Sequence, residues 1–327
     1  MSATSRFSNF IRAAACSLVM ALGLSAHAAY PDKPITLIVS YAPGGGSDLT
    51  ARAFATYVEK YLGNNARIVV QNKPGAGGAI GFSQLANAPA DGYTIGMINT
   101  PNVLTIPIER KSDFHWHRFD LLGNLVDDPG NFAVHASSPI KTLKDLGAYA
   151  RSRPGEVTVG TTGAGSDDHL AMLLFERATG AKLTHVPFKG AADVRTALAG
   201  QQIVIGAVNV GEALQAIKGG TAIRNLGSMS AKRTPLALDL PTFKEQGFDI
   251  ELASLRGFAA PKGLPADVRA ALVKAMAQAA NDPEFHAKAA AIFAPLRYLA
   301  PDQYAKELTE AEAQFKELWK VVPWTDK

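Results

Sequence analysis

Residues 44–48 read Gly-Gly-Gly-Ser-Asp and residues 163–167 read Gly-Ala-Gly-Ser-Asp, so the pattern G-x-G-S-D stands twice in one chain. Each copy follows a β-branched run, "ITLIVSY" (35–41) or "VTVGTT" (157–162), and each opens an amphipathic stretch that ends in glycine, Gly63 or Gly180. A strand that stops at glycines and restarts as a helix exposes the first helical N–H groups, which lack intrahelical partners. Together with the aligned peptide dipoles, those donors attract an anion without any cationic side chain. Glycine lets a ligand approach the backbone, and Ser47 and Ser166 can cap their helices or donate to an oxygen anion. The duplication predicts two α/β units presenting the same device.

Working outward, the segment 49–61 has helical periodicity and is followed by "ARIVVQN" (66–72), a helical stretch near 80–88 and "YTIGMIN" (93–99). After a less regular crossing at 101–130, the pattern restarts with "NFAVHAS" (131–137), and strands and helices alternate as far as "IVIGAVN" (203–209). Such alternation marks parallel βαβ units. The C-terminal stretch is mostly helical, with Pro265, Pro283 and Pro301 at positions that suit helix starts, and is expected to pack back on the first unit.

A chain of 327 residues with 47% hydrophobic and 19% charged residues is long enough for two lobes with separate cores. Arg6 and Arg12 precede the apolar run "AAACSLVMALGLS" and the small residues of "AHAAY", the form of an export signal over residues 1–29 cut after Ala28 or Ala29. Removing that segment takes the formal charge from +4 to +2, with no block of like charges and no nucleic-acid signature. The single cysteine, Cys16, lies inside the segment, so the mature chain carries neither disulfides nor thiol chemistry. Beyond residue 30 no apolar run has the length of a membrane span, and the mature protein is expected to be soluble.

Two phosphate loops fail on residue type. A Walker loop needs Gly-Lys-Ser/Thr, and a dinucleotide fingerprint needs a third glycine where Leu49 stands. A smaller anion fits better. Asp48 and Asp167 would repel an anion and are expected to face their own helix starts; a second reading lets one of them receive the ammonium of a zwitterion. Ser166, Asp168 and His169 are neighbours in sequence, which raises a secreted hydrolase using Ser166 and His169 as an alternative, although no G-x-S-x-G elbow surrounds the serine. His115 and His117 in "HWH" have no acidic or cysteine partner at ligand spacing and are read as surface or packing residues, with no metal. Lys189 and Arg256 are cations in expected loops, either solvated or, for Arg256, forming a bidentate contact to a second ligand carboxylate. Asn209 is a turn former or a polar group in the cleft.

The segments "YPDKPITLIVSYAPGGGSDLTAR", "QNKPGAGGAIG", "VTVGTTGAGSDDHLA", "HVPFKGAAD" and "GFAAPKGLP" occur here in the order seen in the Bug-type solute receptors of tripartite tricarboxylate transporters, and the chain resembles that family over nearly its whole mature length. The resemblance implies an α/β, two-lobed periplasmic binding protein fold (type II, Venus-flytrap), each lobe a mostly parallel sheet flanked by helices. The lobes are expected at 30–128 plus 253–327 and at 129–252. It also implies a non-enzymatic, monomeric receptor without cofactor, delivering a small organic anion to membrane permease subunits; presentation of the closed receptor to a sensor protein is an alternative. By motif position it implies ligand contacts from Ala42, Pro43, Gly44, Gly46, Ser47 and Asp48 in the first loop. The second loop would supply Thr161, Thr162, Gly163, Gly165, Ser166 and His169. Many relatives carry aspartate at the position of Asn209 and an aromatic residue at that of Arg256, which leaves the substrate open.

Overall fold

The computed structural model describes residues 30–325, so the expected export segment lies outside the described residues. The first unit is built from β1 (Ile35–Val39), α1 (Gly46–Leu62), β2 (Ile68–Asn72), α2 (Ala79–Ala86), β3 (Thr94–Asn99) and α3 (Asn102–Glu109). β1 runs parallel to both β2 and β3, with Leu37 opposite Val70 and Ile95. α1 begins three residues before the apolar periodicity predicts, because Gly45, extended at φ −79° and ψ 169°, starts the helix inside the glycine run.

The expected irregular crossing is α3 followed by a 17-residue strand, β4 (Phe119–His135). Almost every residue of β4 is buried, so its sequence shows no alternation, and Gly123, Pro129 and Gly130 disguise it further. Its first part pairs antiparallel with β9 (Ala253–Pro261), Phe119 opposite Pro261 and Pro129 opposite Ala253. From Gly130 onward it pairs with β7 (Ile205–Asn209) and β8 (Ile223–Ser228). β4 therefore joins two sheets into one, ordered β2-β1-β3-β9-β4-β7-β5-β6 with β5 (Val157–Thr161) and β6 (Leu183–Pro187) at the far edge. β8 and β10 (Leu296–Leu299) also pair with β4.

The second unit adds α4 (Leu143–Arg151), α5 (Asp167–Thr179), α6 (Ala191–Ala199) and α7 (Val210–Lys218) around β5, which is parallel to β6 and β7. Each unit has its own core. Phe132, Val159, Phe175 and Phe243 anchor the second. In the first, Phe54 of α1 packs against Phe258 and Phe285 at ring-centroid distances of 5.1 and 5.0 Å. Phe285 belongs to α9 (Pro283–Ala291), and Leu272 and Met276 of α8 (Ala266–Ala280) join the same cluster, so the C-terminal helices do pack on the first unit. Pro265 precedes α8, while Pro283 and Pro301 are the first residues of α9 and α10 (Pro301–Val321), where a missing N–H costs nothing.

Candidate ligand-binding cleft

Carboxyl ends of strands from both units meet the N-termini of α1, α5 and α7 around a narrow cleft. Tyr41, Gly46, Ser47 and Asn99 line it from the first unit, Thr162, Asp167, Asn209 and Glu212 from the second. Ser254 and Arg256 of β9 complete the wall.

The two G-x-G-S-D loops differ in their capping. In α1 no side chain caps the helix; the first amide, Gly46 N–H, donates instead to Glu212 Oε1 of the other unit at 2.8 Å. Ser47 Oγ accepts from Asn99 Nδ2 at 2.8 Å. Asp48 turns to its own loop and helix: Oδ2 accepts from Gly44 N at 3.0 Å, and Oδ1 accepts from Arg52 Nε at 3.0 Å and Asn72 Nδ2 at 2.9 Å. Burial pushes the Asp48 carboxyl up, but those hydrogen bonds outweigh it and hold it below the usual range.

α5 starts two motif positions later, with Ser166 as its cap, Oγ accepting from His169 N at 3.2 Å. His169 Nδ1 accepts from Gly165 N–H at 3.2 Å, and the ring stacks on His185 with centroids 4.0 Å apart. Burial, and secondarily His185, drives the His169 pKa down to about 3, so this imidazole is neutral and packed beneath the loop.

Arg256 lies on a strand rather than in a loop and is 2% exposed. Its Nη2 donates to Asp128 Oδ2 at 3.0 Å, Asn209 Oδ1 at 3.2 Å and Glu212 Oε1 at 3.2 Å. Carboxylates of the protein thus already engage the guanidinium expected to clamp a ligand. Asp167 departs from the expectation that it faces its own helix, for Oδ2 accepts from Asn209 Nδ2 at 2.7 Å. Asn209 also donates to Asp128 O at 2.9 Å, which makes it a hub of the network rather than a turn former. Burial raises Asp128 to about 7 and Asp167 to about 6, and pushes Asp168, behind Thr162, well above the usual carboxylate range.

Of the other expected contacts, Pro43 and Lys189 are exposed, and the Lys189 carbonyl accepts from Ala42 N at 3.1 Å. Gly44 O accepts from Arg195 Nη2 at 2.8 Å, and Gly165 O accepts from Thr105 Oγ1 at 2.7 Å, so both loops also hold the units together. Thr161 Oγ1 lies 2.6 Å from His185 Nε2, on the inner side of the second loop. The glycines serve the same approach. A Cβ on Gly46 would lie 2.6 Å from both Arg256 Nη1 and Glu212 Oε1, and one on Gly163, at φ +123°, would lie 2.8 Å from Gly77 Cα. The expectation that His115 and His117 lack an acidic partner fails in space, where Glu312 of α10 lies beside them, His115 Nε2 3.3 Å from Oε1; Lys316 Nζ pairs with that same oxygen at 2.7 Å.

Sequence reasoning missed Asp128, Glu212 and Asn99. A second internal repeat could have found Asn99: "IGMIN" (95–99) and "IGAVN" (205–209) both end a buried strand in asparagine. Glu212 stands three residues after Asn209, at capping-box spacing, and its Oε2 accepts from Asn209 N at 3.2 Å.

The family model described as "Tripartite tricarboxylate transporter family receptor" matches residues 50–320. The chain belongs to this family. The receptor is 31% identical over 308 residues to the "UPF0065 protein in gbd 5'region" of Cupriavidus necator, covering 91% of this chain and 92% of that protein. Its fold matches the solved periplasmic binding protein BugD with a TM-score of 0.85 at 30% identity, covering 91% of this chain and all (100%) of BugD. An R. palustris protein solved with adipate matches with a TM-score of 0.84 at 28% identity, over 90% of this chain and 98% of that one. The receptor therefore has the two-lobed α/β fold of periplasmic binding proteins, and family and fold are those of solute-binding receptors. Among the described residues no helix is long and apolar enough to cross a membrane.

Proposed function

We propose that this receptor binds a small organic carboxylate in the cleft, drawn from di- or tricarboxylates, aromatic carboxylates and acidic amino acids, and delivers it to the permease subunits of a tripartite tricarboxylate-type transporter. The observation that carries the reading is the α1 N-terminus. Its first amide already holds a carboxylate, that of Glu212, at 2.8 Å, and Ser47, whose acceptor side is taken by Asn99, keeps its hydroxyl hydrogen to donate beside it. The R. palustris relative solved with adipate supports the ligand class.

On this reading the lobes are 30–128 with 253–327 and 129–252, the chain crossing near Pro129 and Ala253, which face each other on β4 and β9. These crossings act as the hinge about which the lobes close. Residues 1–29 direct export and are removed, leaving a periplasmic monomer. The hydrolase reading has little support: Ser166 Oγ accepts from the backbone of His169, and among the described residues no hydrogen bond joins it to an imidazole nitrogen. Thermal melting across a carboxylate panel tests the proposal. A true ligand at about 100 times its dissociation constant adds roughly 2.7 kcal/mol of stability, whereas no shift with any carboxylate would contradict it.

A further inference from the structure

Four charged groups meet at the cleft, and their signs do not balance. Asp128, Asp167 and Glu212 surround the single guanidinium of Arg256, which bonds Asp128 and Glu212 directly, so the ionised set carries an excess of two negative charges. A simple carboxylate ligand would add to that excess in a site shielded from water, where like charges repel strongly. Two further atoms lack partners. Asn99 is 3% exposed and lines the cleft; its Nδ2 serves Ser47, and its Oδ1 is a buried acceptor with no hydrogen bond. Arg256 Nε, also at the cleft wall, is a buried donor with no hydrogen bond. Buried polar atoms left unpaired cost about 1–3 kcal/mol each, and one ligand bearing both a donor and an acceptor can relieve both.

Resting on the carboxylate-receptor reading, we propose that the ligand is zwitterionic: its carboxylate seats against α1 and Ser47, and its protonated amine is received by Asp167 and Asn99. The ammonium offsets one of the surplus charges and donates to the acceptors. Burial raises the Asp167 carboxyl above its ordinary range, and an ammonium partner offsets that cost of holding it ionised.

The test compares matched pairs that differ only by an amine: succinate with L-aspartate, glutarate with L-glutamate, adipate with 2-aminoadipate and propionate with β-alanine. Affinities are measured by calorimetry on the full mature chain. In at least one pair the amine-bearing member is expected to bind tenfold or more tighter. Asp167→Asn and, separately, Asn99→Leu are expected to shrink that ratio at least fivefold; Asp167→Asn removes a surplus charge and so does not weaken the amine-free partner, whereas Asn99→Leu releases Ser47 and weakens both members, the amine-bearing one more. An amine-free acid that binds as tightly as, or tighter than, its amine-bearing partner in every binding pair overturns this inference and leaves the carboxylate receptor standing. Equal losses for both members in both variants overturn the assignment of Asp167 and Asn99. Should no member of any pair bind, this inference falls, and the carboxylate-receptor reading falls with it only if the wider carboxylate panel also fails to bind. The wild-type comparison decides even where a variant fails to fold.

Discussion

Glu212 Oε1 accepts the Gly46 amide hydrogen at 2.8 Å, so a carboxylate of one lobe occupies the first free N–H of a helix in the other. The same oxygen lies 3.2 Å from Arg256 Nη2, which ties this inter-lobe contact to the buried ion network. The helix terminus read from sequence as an anion seat thus has an internal anion on it, and a ligand must share the site with that charge.

Glu212→Gln keeps an acceptor for Gly46 and removes the charge. Affinity for any bound carboxylate should therefore rise by about tenfold, equivalent to about 1.4 kcal/mol, as read by calorimetry at pH 7.5. A fall in affinity would show that Glu212 assists the ligand instead of competing with it.

Arg256→Met strands two buried carboxylates. Breaking such a pair costs about 3–5 kcal/mol, and here the loss should depend on pH. Asp128 titrates near 7 in the folded protein, raised above the unfolded range of about 3.9 by burial. A raised folded pKa favours the native state at low pH, and that advantage disappears as pH rises through it. Without Arg256 the Asp128 pKa climbs further, because the guanidinium now lowers it. Urea unfolding should therefore show a large penalty at pH 8 and a much smaller one at pH 5. A penalty independent of pH would assign the loss to packing alone.

Gly163→Ala places a methyl group 2.8 Å from Gly77 Cα, at a φ of +123° that disfavours side chains. Because the clash is with backbone of the other lobe, the lobes should fail to approach fully. Ligand affinity is expected to fall more than tenfold while circular dichroism stays that of the wild type; unchanged affinity would mean that the cleft binds ligand without this approach.

Much of the architecture was legible because glycine punctuation and β-branched runs report local geometry directly. The paired loops, the alternation around them and the proline-started helices all follow from residue types acting over a few positions. β4 was not legible, since burial on nearly all sides erases the period by which a strand announces itself. The site was legible in its backbone and not in its charges. The Asp48 carboxylate faces its own loop and helix, as the cap argument expects, but Asp167, in the same motif position, turns to Asn209, 42 residues away. Arg256 looked like a free loop cation because its partners, Asp128 and Glu212, lie 128 and 44 residues away in the chain. Ion pairs at such separations are created by the fold, and no local pattern encodes them.

On the proposed function, this receptor holds a small organic acid in the cleft and releases it unchanged. Calorimetric titration of the mature protein with an acid identified by thermal melting, followed by recovery and mass analysis of that acid, tests it most directly. One molecule is expected to bind per chain and to be recovered chemically unaltered after prolonged incubation. Conversion of the acid to a product, or failure of every small organic acid to bind, would contradict it.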